Sequence, residues 1–493
     1  MLNDLRYAFR QLIRSPGFAA VTVGTAPVFI CVCAASLMLT AVPPRVHAVT
    51  TAPLASDSEI HRMLVTRVDL QKRATGIVIG IIEPKGKRLI AHGTMAIGNK
   101  RPVDGDTVFD IGSITKVFTA LLLSEMAQRR EVALDDPVSK YLPTEVHAPA
   151  RNRRQITLAD LATHTSGLPL RPGNLISKDP KNKYADYTVD LLNQFLGSFE
   201  PTNDSGSHYE YSNVGYGLLG QALTRRADRS FAELVRSRIT EPLGMPNTRL
   251  DLTAEMEDRL ATGYSSELIP VPHWDWGALE SAASLRSTAN DLLKLLEAFL
   301  GYKKSALAPS MRAMLETRRP GGMPPWSTET GLAWNIFVNN GREIAWKNGN
   351  VGGFRAFLGY DLKARVGVVA LVNAETAFGA DDIGMHLLDP SQSVDLSVPK
   401  VHKEIAVSPA ILDRYVGRYR FSPTDTSIIT REGDHLFVQP PGSDKLELFA
   451  EGERDFFLKE IDAQITFVSS GDKPATAAIW HQGGQTERGE RLK

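Results

Sequence analysis

The sequence predicts an α+β protein. An antiparallel sheet with flanking helices and an inserted all-α region is followed by a small C-terminal antiparallel β-barrel and preceded by a transmembrane or signal segment. Three observations predict this. Runs with strand patterning stand at both ends of residues 57–385, and helical periodicity fills the middle, so the sheet draws its strands from both ends of one domain. After residue 407 short apolar runs are punctuated by Gly433, Gly442, Gly452, Gly471 and Gly483, the spacing of a small barrel. Residues 18–42 carry no charge and are long enough to cross a bilayer.

The elements follow in order. Residues 1–48 form an N-terminal unit. Leu2, Leu5, Phe9, Leu12 and Ile13 share one face of an amphipathic interfacial helix. Arg6, Arg10 and Arg14 precede the apolar run and favour a cytoplasmic start with export of the remainder. The run is either an inner-membrane anchor over 18–42 or a signal peptide cleaved after Val46-His47-Ala48. Residues 43–56 read as a linker. A helix is expected over 60–70 and a buried strand over 76–83, with a turn at Lys85-Gly86 and a returning strand over 88–93. Helices are expected over 116–129, 157–163, 188–196, 215–226, 231–239 and 291–300, with Thr157-x-x-Asp160 as a capping-box start. Strands return over 332–338, 343–346, 355–360 and 366–372, with residues 361–365 as a hairpin loop. Residues 386–407, with Pro390 and Pro399, read as a second linker, and 408–493 as the barrel domain, entered by a short helix over 410–415.

Composition excludes several classes. Fifty-six Lys and Arg balance 56 Asp and Glu, so nothing in the net charge attracts nucleic acid. The two cysteines, Cys31 and Cys33, both lie in the apolar run, which leaves no disulfide framework, zinc–cysteine cluster or cysteine nucleophile beyond residue 33. No H-E-x-x-H occurs, and neither a metal nor a cofactor is expected.

Three short motifs carry chemistry. In Phe109-Asp-Ile-Gly-Ser-Ile-Thr-Lys116, Ser113 stands where a loop becomes an apolar helix, and Lys116, three residues on, shares its face. An amine there can take or steer the hydroxyl proton; an N-cap serine with a surface lysine has the same pattern. Tyr211-Ser212-Asn213 is the chain's only Tyr-x-Asn. A phenol beside two ammonium groups can have a depressed pKa and act as a general base, and a carboxamide can hold a substrate amide; a buried tyrosine followed by an Asn turn is the plainer reading. Trp346-Lys347-Asn348-Gly349-Asn350 ends a strand. Lys347 can bind a carboxylate, Gly349 lets a substrate backbone approach, and the N–H of Asn350 can pair with that of Ser113 as an oxyanion hole. An edge-strand lysine beside a hairpin glycine is the alternative.

Together and in this order, the three motifs resemble those of the serine β-lactamase and penicillin-binding protein superfamily, most closely its class C branch, which uses Tyr-x-Asn. The resemblance spans residues 59–385 and includes Leu161-Ala-Thr-His-Thr-Ser-Gly167, a structural turn in which His164 has no catalytic part. Leu412-Asp-Arg-Tyr-Val-Gly-Arg-Tyr419 resembles the lipocalin-like domain attached to some of these hydrolases. The resemblance implies a serine hydrolase of β-lactams, outside the cytoplasm. Its alternatives are a D-Ala-D-Ala carboxypeptidase or endopeptidase of cell-wall peptides, an esterase or D-aminopeptidase, and an inactive sensor of cell-wall fragments. It implies Ser113 as the acylated nucleophile, and Lys116 either lowering the pKa of Tyr211 or serving as the base itself. Tyr211 would move the proton to the leaving nitrogen, Asn213 orient the acyl amide, and Lys347 draw in a carboxylate. Asn348 departs from the family's threonine or serine, whose hydroxyl contacts that carboxylate.

Overall fold

The computed structural model describes residues 54–492 except 324, 377–378, 398–401, 423–424, 442–444, 460–462 and 483–484. The expected anchor or signal at 18–42 lies outside the described residues, among which no helix is long and apolar enough to cross a membrane. The chain divides into two compact units, Thr51–Val398 and a C-terminal unit from Pro399.

In the larger unit, helix α1 (Asp57–Val65) starts at a capping box between Ser56 and Glu59. Strands β1 (Gly76–Glu83) and β2 (Gly86–Gly93) form the first hairpin. The helical region follows, with α2 (Thr115–Gln128), α3 (Leu158–Ala162), α4 (Asn213–Ala227) and α5 (Ala289–Phe299) as its main members. The chain returns to the sheet through β3 (Arg319–Pro320), β4 (Glu329–Thr330), β5 (Asn335–Asn339), β6 (Arg342–Val351), β7 (Phe354–Asp361) and β8 (Val366–Val372), then ends on α6 (Asp381–Leu388). The eight strands are antiparallel throughout, in the order β2-β1-β8-β7-β6-β5-β4-β3. The last strand thus pairs with the first, Ile77 opposite Val372, which joins the two ends of the unit in one open sheet.

Side chains alternate between the two faces of the sheet. On β1, Ile77, Ile79 and Ile81 join Ile60 and Leu64 of α1 and Ile383 and Leu387 of α6 in one core. Val78 and Ile82 face the helical region and join its core, with α5 lying against β1. Burial on both faces explains the unbroken Ile-Val-Ile-Gly-Ile-Ile run. A Cβ on Gly80 would come within 3.0 Å of Leu293, so the glycine sets how closely α5 lies on the sheet.

Two elements differ from expectation. The strand expected to end near Trp346 continues to Val351, because pairing with β7 carries the polar stretch Lys347↔Leu358 to Asn350↔Arg355 despite its poor intrinsic strand preference. Helix α6 reaches Leu388, and Asp395 beyond it bonds Arg73 at 2.8 Å, so the first part of the expected linker packs on the larger unit.

The C-terminal unit is a closed barrel of eight antiparallel strands, β9 (Gly417–Arg420), β10 (Thr426–Glu432), β11 (His435–Gln439), β12 (Leu446–Ala450), β13 (Asp455–Phe457), β14 (Ala463–Val468), β15 (Ala477–Gln482) and β16 (Gln485–Arg491). Each strand pairs with the next and the last with the first. Aromatic side chains pack its core: the rings of Tyr415 and Phe467 stack at 4.4 Å, and the Tyr419 hydroxyl donates to the Tyr415 carbonyl at 2.9 Å.

Candidate active site

Ser113 lies in a single 3-10 turn, Gly112–Ile114, that runs directly into α2. Almost every side chain of α2 from Thr115 to Met126 is buried, so the helix cannot shift without disturbing the core. Ser113 itself keeps partial exposure. Just upstream, Asp110 accepts from Arg286 Nε at 2.8 Å and lies 2.7 Å from His273 Nδ1, which pins the backbone that presents the serine.

Lys116 is fully buried. Its Nζ lies 3.0 Å from Ser113 Oγ, 2.8 Å from Asn213 Oδ1 and 2.9 Å from the Ala282 carbonyl. The Ala282 carbonyl belongs to the short helix Glu280–Ala283, wedged between α2 and α4. Gly217 and Gly220 of α4 make that wedge possible, since a Cβ on Gly220 would fall 2.1 Å from Ser281 Oγ.

Tyr211 and Asn213 stand at the start of α4, which begins two residues earlier than expected, so Asn213 is its first residue. The Ser212 hydroxyl caps the helix by accepting from Gly215 N–H at 2.7 Å. Lys116 Nζ is 5.0 Å and Lys347 Nζ 4.6 Å from the centre of the Tyr211 ring. The Ser113 side chain lies near enough to act on the Tyr211 phenol.

Lys347 points from β6 toward the helical region; it is 1 % exposed, and its Nζ has no hydrogen-bond partner. Asn348, one residue on, points to the other face, where its amide donates to Asp381 Oδ2 of α6 at 2.7 Å. Residue 348 therefore does not share a face with Lys347. Gly349 is required by close approach: a Cβ there would lie 2.0 Å from the Ile111 carbonyl and 3.3 Å from Ser113 N. Gly352 and Gly353 close a two-residue hairpin with Val351 opposite Phe354. In such a hairpin the closing pair is hydrogen-bonded and the next pair is not, which turns the N–H of Asn350 to the outer edge of β6. A Cβ on Gly112 would lie 2.9 Å from that nitrogen. The turn of Ser113 and the end of β6 thus bring two backbone N–H groups to one place.

Burial sets the protonation states. It drives Lys116 well below the usual lysine range, with the like charge of Lys347 acting in the same direction. It lowers Lys347 to about 7. It pushes Tyr211 up, and the neighbouring Ser113 side chain offsets only part of that rise. The expected depressed phenol is corrected here. Burial of the phenol itself penalises its ionised form and outweighs what its neighbours offer.

All the expected residues meet: Ser113, Lys116, Tyr211, Asn213, Lys347, Gly349 and Asn350 come together where α2, α4 and β6 converge. Two contributors had no sequence signal of their own. The Ala282 carbonyl is backbone, and Asp381 reaches the site only through Asn348. Asp110 lay in view inside the Ser113 motif.

A model of the family described as Beta-lactamase matches residues 60–388. The chain belongs to the β-lactamase family. A second model, described as a domain of unknown function (DUF3471), matches residues 401–491, the barrel. The chain is similar to penicillin-binding protein 4* of Bacillus subtilis, 26% identical over 84% of this chain and 94% of that one. It is 28% identical to the D-alanyl-D-alanine-carboxypeptidase/endopeptidase AmpH of Escherichia coli over 61% of this chain and 79% of that one. Among solved structures, a β-lactamase/D-alanine carboxypeptidase from Yersinia pestis superposes with a TM-score of 0.59 at 26% identity, over 68% of this chain and all of the other. Like its family, the chain is a serine hydrolase.

Proposed function

We propose that the chain hydrolyses β-lactams through an acyl-enzyme on Ser113, in the manner of a class C β-lactamase. One observation carries the reading: the surroundings of Lys116 Nζ. Two of its neighbours, Asn213 Oδ1 and the Ala282 carbonyl, are pure acceptors. A neutral amine has two N–H groups and one lone pair. The two acceptors use both N–H groups, and the lone pair is left facing the Ser113 hydroxyl at 3.0 Å. Burial favours that neutral state, so Lys116 is the general base.

The Ser113 oxygen attacks the lactam carbonyl carbon while its proton passes to Lys116. The oxyanion is held by the N–H groups of Ser113 and Asn350, a donor pair of the kind in which each is worth about 10²–10³ in rate. The C–N bond then breaks, and the neutral phenol of Tyr211 supplies the proton to the departing nitrogen, recovering one from Lys116. Water attacks the resulting ester, loses its proton to the same groups, and frees Ser113. Asn213, its oxygen held by Lys116, offers its NH₂ to the acyl side-chain amide. The unpartnered ammonium of Lys347 awaits the substrate carboxylate.

A second reading is cleavage of a D-Ala-D-Ala peptide by the same steps, with D-alanine as the leaving group. It is favoured by the likeness to penicillin-binding protein 4*, which extends over 84% of the chain. In either reading the hydrolase works outside the cytoplasm, with residues 18–42 as its membrane anchor.

The test is timed intact-mass spectrometry of the full-length chain with a penicillin, with penicilloate assayed in parallel and Ser113→Ala as control. Turnover to penicilloate without a lasting adduct is expected. A long-lived adduct that requires Ser113 would establish the peptidase reading instead. Hydrolysis that survives in Ser113→Ala would overturn both.

A further inference from the structure

His164 lies in the loop after α3, is 1 % exposed, and holds a left-handed backbone conformation with φ of 58°. Such a conformation is uncommon for a residue with a Cβ and persists where the surroundings impose it. In it, three of the contacts of His164 are with the segment around Tyr211. Its carbonyl accepts from the N–H of Glu210 at 2.7 Å. Its Nδ1 accepts from the N–H of Ser212 at 3.1 Å. Its ring lies 4.3 Å from the Tyr211 ring, tilted by 32°. The amides before and after Tyr211 and the phenol ring itself are therefore all held by one residue.

The bond from Ser212 also fixes the tautomer. Nδ1 must present its lone pair, so the proton sits on Nε2, which is buried with no hydrogen-bond partner. A structural histidine that merely filled space would need neither the acceptor nor the ring contact. The groups around it are Lys116, Lys347, Tyr209, Tyr211 and Tyr216. A second proton on the imidazole would break the Ser212 bond and add a third cation beside two lysines; burial and both lysines hold its pKa well below the usual histidine range.

We propose that His164 is the positioning residue of Tyr211, clamping the phenol at Ser113 through the two flanking amides and its ring face. The proposal rests on Tyr211 serving the chemistry of Ser113. His164→Phe keeps a ring and removes the acceptor; His164→Asn keeps an acceptor near the Nδ1 position and removes the ring. Single-turnover acylation by a chromogenic cephalosporin is measured from pH 5 to 9. His164→Phe is expected to slow acylation about 10–100-fold, to leave substrate dissociation within about threefold, and to shift the pH profile. His164→Asn is expected to recover to within about tenfold of wild type. Added to Tyr211→Phe, the His164→Phe change should cost nothing more, because both act through one phenol. Multiplicative losses in the double variant, or unchanged acylation in His164→Phe, would overturn the clamp. A crystal structure of a His164 variant separates this failure from that of the functional reading. A phenol displaced from Ser113 supports the clamp even if Tyr211→Phe proves silent, and an unmoved phenol refutes it whatever the kinetics. His164→Asn carries this measurement should His164→Phe not fold.

Discussion

Replacing Lys347 with methionine should stabilise the fold while weakening the site. The magnitude follows from the protonation equilibrium. In the unfolded chain a lysine titrates near ~10.4, whereas burial lowers Lys347 to about 7 in the native state. Between these values the unfolded chain binds more protons, so wild-type stability must rise with pH. Integrating the difference gives a penalty of about 4 kcal/mol at pH 7 and about 2 kcal/mol at pH 9. Methionine matches the stem in volume and does not titrate. The variant should therefore be more stable than wild type by about those amounts, the gap shrinking by roughly half from pH 7 to pH 9. Relief of the like-charge effect on Lys116 acts in the same direction. Urea unfolding followed by tryptophan fluorescence reads the larger unit, because five of the six tryptophans (Trp274, Trp276, Trp326, Trp334 and Trp346) lie in it. The same variant should lose about 10–100-fold in kcat/KM toward carboxylate-bearing lactams, the worth of a charged hydrogen bond, and little toward a neutral ester. A variant less stable than wild type at pH 7, or a gap that does not change with pH, would refute the reasoning.

Three further outcomes are expected. Gly349→Ala would drive a Cβ to 2.0 Å from the Ile111 carbonyl, parting β6 from the Ser113 turn; acylation should fall about 10²-fold or more, while KM for a carboxylate substrate changes less. Asp381 is raised by burial to about 7, so the native state binds the extra proton between the carboxyl's unfolded value and pH 7, and this group's contribution is lost as pH rises through that window. Asp381→Asn should therefore be more stable than wild type at pH 8, with the difference vanishing toward pH 4, as thermal unfolding at the two pH values would reveal. Gly220→Ala gains about 1 kcal/mol of helix propensity but forces a Cβ to 2.1 Å from Ser281 Oγ. Overpacking of about 1–3 kcal/mol outweighs the gain, and a lowered Tm with slower acylation is expected, because Ser281 adjoins the carbonyl that holds Lys116.

The parts of the site that follow a backbone period were legible in the sequence. Ser113 and Lys116 meet because three residues bring side chains round to one helix face, and Lys347 and Gly349 meet because two residues do so on a strand. The same alternation places Asn348 on the opposite face, against Asp381, which the family pattern alone did not convey. The fold was legible wherever burial on both faces left an apolar run, as in β1 and β8. It was not legible over residues 347–351, where long-range pairing with β7 rather than propensity makes the strand. The Ala282 carbonyl could not be read at all, since any residue supplies a carbonyl and only the packing of the 280–283 helix aims this one.

The protonation of the cleft also had to come from the structure. The sequence places two lysines and a tyrosine near a serine, and in water their ordinary pKa values would leave both lysines charged. Burial reverses the order. Charging Lys116 costs most, because it is sealed in the core beside a second cation, while Lys347 titrates near neutrality. The phenol keeps its proton because burial penalises the ionised form of Tyr211. What results is a base with a free lone pair at the nucleophile, an acid with a proton at the leaving group, and a cation that is completed by the carboxylate it binds. The carboxylate should raise the pKa of Lys347 as it docks. Binding of a carboxylate-bearing lactam should therefore take up protons from buffer above pH 7, and a neutral ester should take up none.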